Sequence, residues 1–227
     1  MGAARVAGKV LAPIARRQAP AMAAGFVRQA FDRAVDGLGP LPGAAAAADR
    51  KRRQRGGDVE AAVRALIDSH VRMAGLEGFL TNLGGLATMA VAIPTNISGL
   101  ALLQCHLVGG IAHLRGYDLD DPRVRNAVLA CMLGEESVRS LVRGRRLPTS
   151  PMAIATAPAY DAELDLKIAG EVAAELIGRV AGKRTIAAVG RRTPLIGGGV
   201  GAVADAYATY RVGTYAAREL RPRGSAG

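Results

Sequence analysis

The stretch GFLTNLGGLATMAVAIPTNISGLALLQCHLVGGIAHL, residues 78–114, contains no Asp, Glu, Lys or Arg, in a chain whose formal net charge is +11. Water is a poor solvent for an uncharged run of that length, so it must lie inside protein or against lipid. Pro94 divides it, and Gly, Thr, Asn and His are scattered through both halves, unlike a plain membrane anchor. Each half, Gly78 to Ile93 and Thr95 to Leu114, is close to the length that one bilayer crossing needs, about 20 residues. Pro94-Thr95-Asn96 then reads as a hairpin tip, with Arg on both outer flanks, as the positive-inside tendency requires. Asn82, Gln104, His106 and His113 make insertion costly, and a hairpin buried at the centre of a helical bundle explains the same pattern. The expectation is a helical domain built around this hairpin that touches a membrane without securely spanning it.

The rest of the composition agrees with helices. Half of the 227 residues are hydrophobic, but Ala and Gly supply much of that share, Trp is absent and aromatics are only 4%. Small side chains in bulk favour helices packed backbone to backbone over a sheet filled with Val, Ile and Phe. No long alternating stretch argues for strands, so the fold class reads as all-α, a multi-helix bundle of one domain. A pI near 10.6 attracts anionic partners, either phospholipid head groups or nucleic acid, or serves as a solubilising surface. Aromatic stacking residues are scarce and no recognition motif is legible, which ranks nucleic acid last.

Cys105 and Cys131, the only cysteines, stand in apolar helical contexts and read as buried free thiols of a reducing compartment. The opening MGAARVAGKVLAPIARRQAP has no continuous apolar core, and Val6 stands where a myristoylation signal needs Ser or Thr. Cytoplasmic residence is the resulting expectation, peripheral to or partly inserted in the inner membrane.

Along the chain, residues 1–57 read as a basic amino-terminal extension and an Ala/Arg-rich linker, partly disordered. Phe26, Ala30, Phe31, Ala34 and Val35 form an apolar stripe there, and a Gly/Pro cluster from Gly37 to Gly43 ends it. Ala44 to Ala48 followed by Asp49-Arg50-Lys51-Arg52-Arg53-Gln54-Arg55-Gly56-Gly57 reads as a solvated tether or, through Lys51, Arg52, Arg53 and Arg55, as a lipid-touching patch alongside Pro94. A helical domain spans 58–221 and a flexible tail 222–227. Asp58 caps a helix expected to run to about Ala74, loosened by Gly75 and Gly78. Asp121 with Pro122 opens another. Residues 144–160 are Pro-rich loop with a helical turn. Asp161 begins an amphipathic helix limited by Gly182, with Leu164, Ile168, Val172, Leu176, Ile177 and Val180 inward. A short helix over 185–189 and an apolar Gly-rich segment, 194–201, lead into helix 202–220.

Within the second uncharged half, Asn96, Gly99, Leu103, His106, Gly110, His113 and Tyr117 recur at steps of three and four, so they share a helix face. Such a small and polar stripe lets a neighbouring helix approach closely, or lines a polar cavity with Asn96, His106, His113 and Asp205 as candidate ligand-binding residues. His106 and His113 are about 10 Å apart along the axis, too far to share one metal ion without a third element. Asp118, Asp120 and Asp121 read as turn and cap chemistry, so no metal site and no cofactor are expected. Gly197–Gly201 lacks the Lys-Ser/Thr ending of a phosphate loop. Glu135 and Glu136 are expected to pair with nearby Arg. No catalytic residue is legible.

Gly84-Gly85, the Pro94 break, Gln104 before the His106 helix, Tyr117-Asp118 with Asp121-Pro122, and Pro194-Leu195-Ile196-Gly197-Gly198-Gly199 leading to Asp205 and Ala216-Ala217 together resemble the EcsC protein family over roughly 58–220. The resemblance implies a helical fold and no established catalytic residue. It also implies association with a membrane system, since the family is named for a bacterial protein encoded beside an ABC transporter linked to protein secretion. Two readings follow: a non-enzymatic accessory or regulator of a transport or secretion system, with an anionic membrane surface and a membrane protein as partners; or an enzyme or small-ligand carrier using the polar pocket.

Overall fold

The computed structural model describes residues 25, 27–29, 31–38, 41–83, 89–189 and 194–223, and within those ranges it places the side chains of 25–37, 42–76, 99–175 and 201–223. The chain is all-helical. Helical residues 27–29 and 31–36 lead into a two-residue antiparallel ladder, β1 (Gly37–Leu38) with β2 (Leu41–Pro42). Then follow α1 (Ala44–Gln54), α2 (Val59–Leu83), α3 (Met89–Leu114), α4 (Pro122–Met132), α5 (Glu135–Arg143), α6 (Pro151–Ala155), α7 (Ala162–Val189) and α8 (Pro194–Glu219).

The helix starts are dictated locally. Asp58 accepts from Ala61 N at 3.0 Å, and Asp161 accepts from Glu163 N and Leu164 N, so each carboxylate satisfies amides that the first turn leaves unpaired. Asp121 accepts from Arg123 N at 2.8 Å, and Pro122 needs no partner at the first helical position. The Arg123 guanidinium clamps the same carboxylate and reaches Ala157 O at 2.5 Å, so this cap also holds the loop before α7. That guanidinium keeps the Asp121 carboxyl below the usual carboxylate range. Asp121→Ala is expected to lower stability by about 1–2 kcal/mol. A depressed folded pKa stabilises only while the carboxylate is ionised, so the gap between variant and wild type should close as urea titrations are moved below about pH 4.

Four boundaries differ from the sequence reading, one of them because the Gly-rich segment 194–201 is itself the start of α8. α2 continues past Ala74, Gly75 and Gly78 to Leu83, and α3 runs unbroken through Pro94. Proline at the sixth position of α3 removes one hydrogen bond near the helix start, which a 26-residue helix tolerates, so the chain reverses between Leu83 and Met89 instead. α7 passes through Gly182 and absorbs 185–189, since one interior glycine costs only about 1 kcal/mol. Of its expected inward residues, Ile168 and Val172 are buried, while Leu176, Ile177 and Val180 lie outside the described side chains.

Packing is organised by α2. Its most extensive partner is α8, with α3 packed on both. Leu66 lies against Gly110 and His70 against His106, so α2 and α3 are antiparallel; Gly75 lies against Ala202 and Ala206, and Ile67 against Gly213, so α2 and α8 are antiparallel too. Leu83, Met89 and Pro194 therefore fall at one end of the bundle. The core is one cluster that includes Leu66, Leu107, Ile111, Val128, Ile168 and Leu220, all essentially sealed from solvent.

The alanine half of the segment read as a tether is instead part of this core, while Arg50 and residues 52–57 are exposed. Ala44, Ala47 and Ala48 are buried where α1 packs into the angle between α2 and α3, and Val27, Phe31 and Ala34 join the same cluster. The carboxyl end is fastened as far as Arg223: Tyr117 Oη donates to Arg221 O and Arg223 N to Arg115 O, both at 2.9 Å. Gly116 turns the chain there with φ +81°. Among the described residues, no helix is long and apolar enough to cross a membrane.

Candidate functional site

The small-polar stripe of α3 meets α1. A Cβ on Gly109 would stand 3.4 Å from Ala44 Cβ, and one on Gly110 would stand 3.5 Å from both Ala44 O and Ala48 Cβ. His113 Nε2 lies 3.0 Å from Asp49 Oδ1, and His106 Nε2 lies 3.0 Å from Pro42 O. The stripe thus does the packing work expected of small and polar residues, and its partner is the Ala-rich segment of the same chain.

His106 also faces His70. The His70 Nε2 to His106 Nδ1 distance is 2.9 Å, and His70 Nδ1 lies 2.8 Å from Leu66 O. Four polar groups from three elements therefore form one line: Leu66 O, His70, His106, Pro42 O. Burial holds His70 down at about 4 from an ordinary 6.5, against the raising effect of the Leu66 carbonyl, and Lys51 pushes the same way as burial. Burial also lowers His106, with the Pro42 carbonyl opposing and Arg50 assisting. All three histidines of the protein lie on this seam.

Among the described side chains, His106 and His113 do not share one pocket. His106 and His113 each engage a different group of the amino-terminal segment. Asp205 is buried in α8 and has a partner. Asn96 lies in α3, and its side chain is outside the described ones. Among the described residues, one surface hollow of about 490 Å³ lies beside Asp49, Arg52, Arg53, Gly56 and Gly57, and another of about 450 Å³ beside Glu136, Ser137, Ser140, Arg146 and Glu171. Among the described residues no cluster of His, Cys, Asp and Glu could hold a metal. Asp118 and Asp121 serve as turn and cap acceptors, and Glu135 pairs with Arg139 and Arg218. Both cysteines are buried free thiols, with Cys105 raised to about 12 by desolvation.

His70 was missed by sequence reasoning. Its signal is its register: it falls one turn after Leu66 and one turn before Ala74 on the core face of α2, a position that demands a partner for an imidazole. Gln104 is fully buried, and both its amide atoms lack a hydrogen-bond partner among the described residues, as does Thr209 Oγ1. Each stands about one turn before the Leu107–Gly213 contact on the parallel helices α3 and α8, so the buried polar groups collect at one level of the bundle.

The expected lipid-contact residues are also separated. Asp49 against His113 places the carboxyl end of α1, with Arg50, Lys51, Arg52, Arg53 and Arg55, at the Leu114 end of α3. Pro94 lies nineteen residues before His113 on that helix, about 28 Å away at 1.5 Å per residue. The molecule has a cationic pole and, opposite it, an end formed by Leu83, Met89 and Pro194, toward which the uncharged run converges. Leu76 and Val203, in the halves of α2 and α8 nearer that end, are 63% and 69% exposed, and Tyr207, at the middle of α8, is 60% exposed.

The sequence model of the EcsC protein family matches residues 54–224. No curated protein and no solved structure matches the chain.

Proposed function

We propose that this chain, which belongs to the EcsC protein family, is a non-enzymatic accessory of a membrane-bound transport or secretion system, seated peripherally on an anionic membrane surface. The observation that carries this reading is the segregation of charge along the bundle. Gly78 to Leu114 holds no Asp, Glu, Lys or Arg, and half of it runs to the end opposite the cationic pole. Leu76, Val203 and Tyr207 add exposed apolar side chains on α2 and α8 between the middle of the bundle and that end. Lys183 and Arg184 belong to the last turns of α7, and Arg191 and Arg192 follow in sequence before Pro194, so the sequence supplies cations to the stretch that leads into α8. An apolar surface with neighbouring cations suits the interface of a negatively charged leaflet.

Magnitudes decide which pole faces lipid. A cation near an anionic surface contributes about 1 kcal/mol, but this falls away within a Debye length of about 10 Å. Arg52, Arg53 and Arg55, about 28 Å from Pro94, add little when the uncharged end is seated. The reading places the protein at the cytoplasmic face of a bacterial inner membrane, where a membrane protein of the transport system would be its partner.

Co-sedimentation with vesicles tests this. Binding to anionic phosphatidylglycerol vesicles is expected to exceed binding to neutral phosphatidylcholine vesicles and to weaken as salt rises. The triple variant Leu76→Ser, Val203→Ser, Tyr207→Ser should bind about tenfold more weakly, whereas Lys51→Gln, Arg52→Gln, Arg53→Gln, Arg55→Gln should change binding less. Equal partition onto both vesicle types, or dependence on the α1 cations alone, would defeat the proposal.

A further inference from the structure

We propose that the His70–His106 pair is a proton-binding site that fastens residues 37–54 to the helical domain, and that proton uptake at the pair releases this segment. The geometry makes the count of protons decisive. Three contacts run in line, Leu66 O to His70 Nδ1 at 2.8 Å, His70 Nε2 to His106 Nδ1 at 2.9 Å, and His106 Nε2 to Pro42 O at 3.0 Å. Each needs one proton between its atoms. Both terminal groups are carbonyls and can only accept. Two neutral imidazoles hold two protons, so one of the three contacts sets lone pair against lone pair. Leu66 O already accepts from Ser69 Oγ at 2.9 Å, so the arrangement that fits best keeps the His106 bond to Pro42 O and lets His70 donate to His106.

A third proton would satisfy all three contacts but creates a buried cation. The charges that reach it are unfavourable. Lys51 acts on His70 and Arg50 on His106, both from α1. α2 and α3 contribute the facing imidazoles and the Leu66 carbonyl, and α8 carries the buried Asp205 and Thr209. Asp49, the nearest acid of α1, is engaged by His113. Departure of residues 37–54 removes Arg50, Lys51 and the Pro42 carbonyl together and admits water to His106, so the released state binds the proton more tightly than the docked one. Tighter proton binding by the released state means that acid drives release.

The sign follows from the lowered values. A histidine held neutral by burial stabilises the docked state above its ordinary 6.5 and loses that contribution as pH falls toward its docked value, which is about 4 for His70. Returning His70 to its ordinary value on release shifts the docking equilibrium about thirtyfold between pH 7.5 and 5. His113 also contacts Asp49 across this seam, and both side chains there are substantially solvated.

Hydrogen–deuterium exchange on the full chain, corrected for intrinsic rates, reads the docking of α1. Protection of residues 44–54 is expected to fall about thirtyfold from pH 7.5 to 5 while that of α4 changes little. The double variant His70→Asn, His106→Gln keeps an amide donor for Pro42 O but cannot titrate, and its protection should be flat with pH. Nitrogen-15 spectra of the wild-type imidazoles give a reading independent of that variant: two N–H groups shared by the pair at pH 7.5, and proton uptake coincident with loss of α1 protection. Protection of 44–54 that does not vary with pH overturns the proposal, as does His106 titrating at its ordinary value while α1 stays protected.

Discussion

Phe31→Ala is expected to lower the free energy of unfolding by about 3–5 kcal/mol, although Phe31 stands well before residue 54, where the family match begins. Phe31 is 2% exposed and belongs to the same cluster as Val124, Val128 and Leu119. The Arg125 guanidinium lies 5.7 Å from its ring centroid, and the same Arg reaches the neighbouring Asp32 at 3.2 Å, so the site is closed from above by a charged lid. Truncating the ring leaves a cavity walled by helices that are themselves tied to other partners, which limits collapse. Leu166→Ala is the matched control, since Leu166 is 55% exposed and should change stability by less than about 0.5 kcal/mol. Urea titration followed by circular dichroism compares the two. A Phe31→Ala effect no larger than the control would mean that the amino-terminal segment is a passenger on the family domain.

The second large effect is expected where glycines let three helices meet. A Cβ on Gly110 would lie 2.7 Å from Leu66 Cδ2, and one on Gly213 would lie 3.0 Å from both Ile67 Cγ1 and Leu107 Cδ2. The obstructing atoms are side-chain tips, but Leu66 and Leu107 are sealed on every side, so they cannot swing aside without displacing other core residues. Gly110→Val and Gly213→Val should each destabilise by about 3 kcal/mol or slightly more, at the top of the range for overpacked cores. Gly170→Ala supplies the contrast. Nothing lies within 4 Å of a Cβ there, and the position is helical, so alanine should stabilise by about 0.5–1 kcal/mol. Thermal unfolding of the three variants tests the packing directly, and a neutral Gly110→Val would refute the close approach of α2 and α3.

What could be read from the sequence divides along a physical line. Helix starts at Asp58, Asp121 and Asp161 were legible because a cap is decided by residues within one turn of itself. The helical class was legible because Ala and Gly in bulk leave few alternatives. Chain reversals were not. Pro94 looks like a hinge, yet one missing hydrogen bond is outweighed by the contacts along a helix packed on both α2 and α8. The α3 stripe and the Ala-rich stretch were both visible, but nothing local says that Ala44 and Ala48 fit Gly109 and Gly110. A basic run following five alanines reads as solvated because its charges dominate the pattern, while the alanines beneath them supply the contact. His70 stayed hidden for the converse reason: a lone imidazole on a helix announces no partner until a second helix brings one.

Gly109 joins the two parts of the chain. The atom nearest a Cβ there is the Cβ of Ala44, at 3.4 Å and in a residue that precedes the family match, so a side chain much larger than alanine at 109 would push the amino-terminal helix off the domain it rests on.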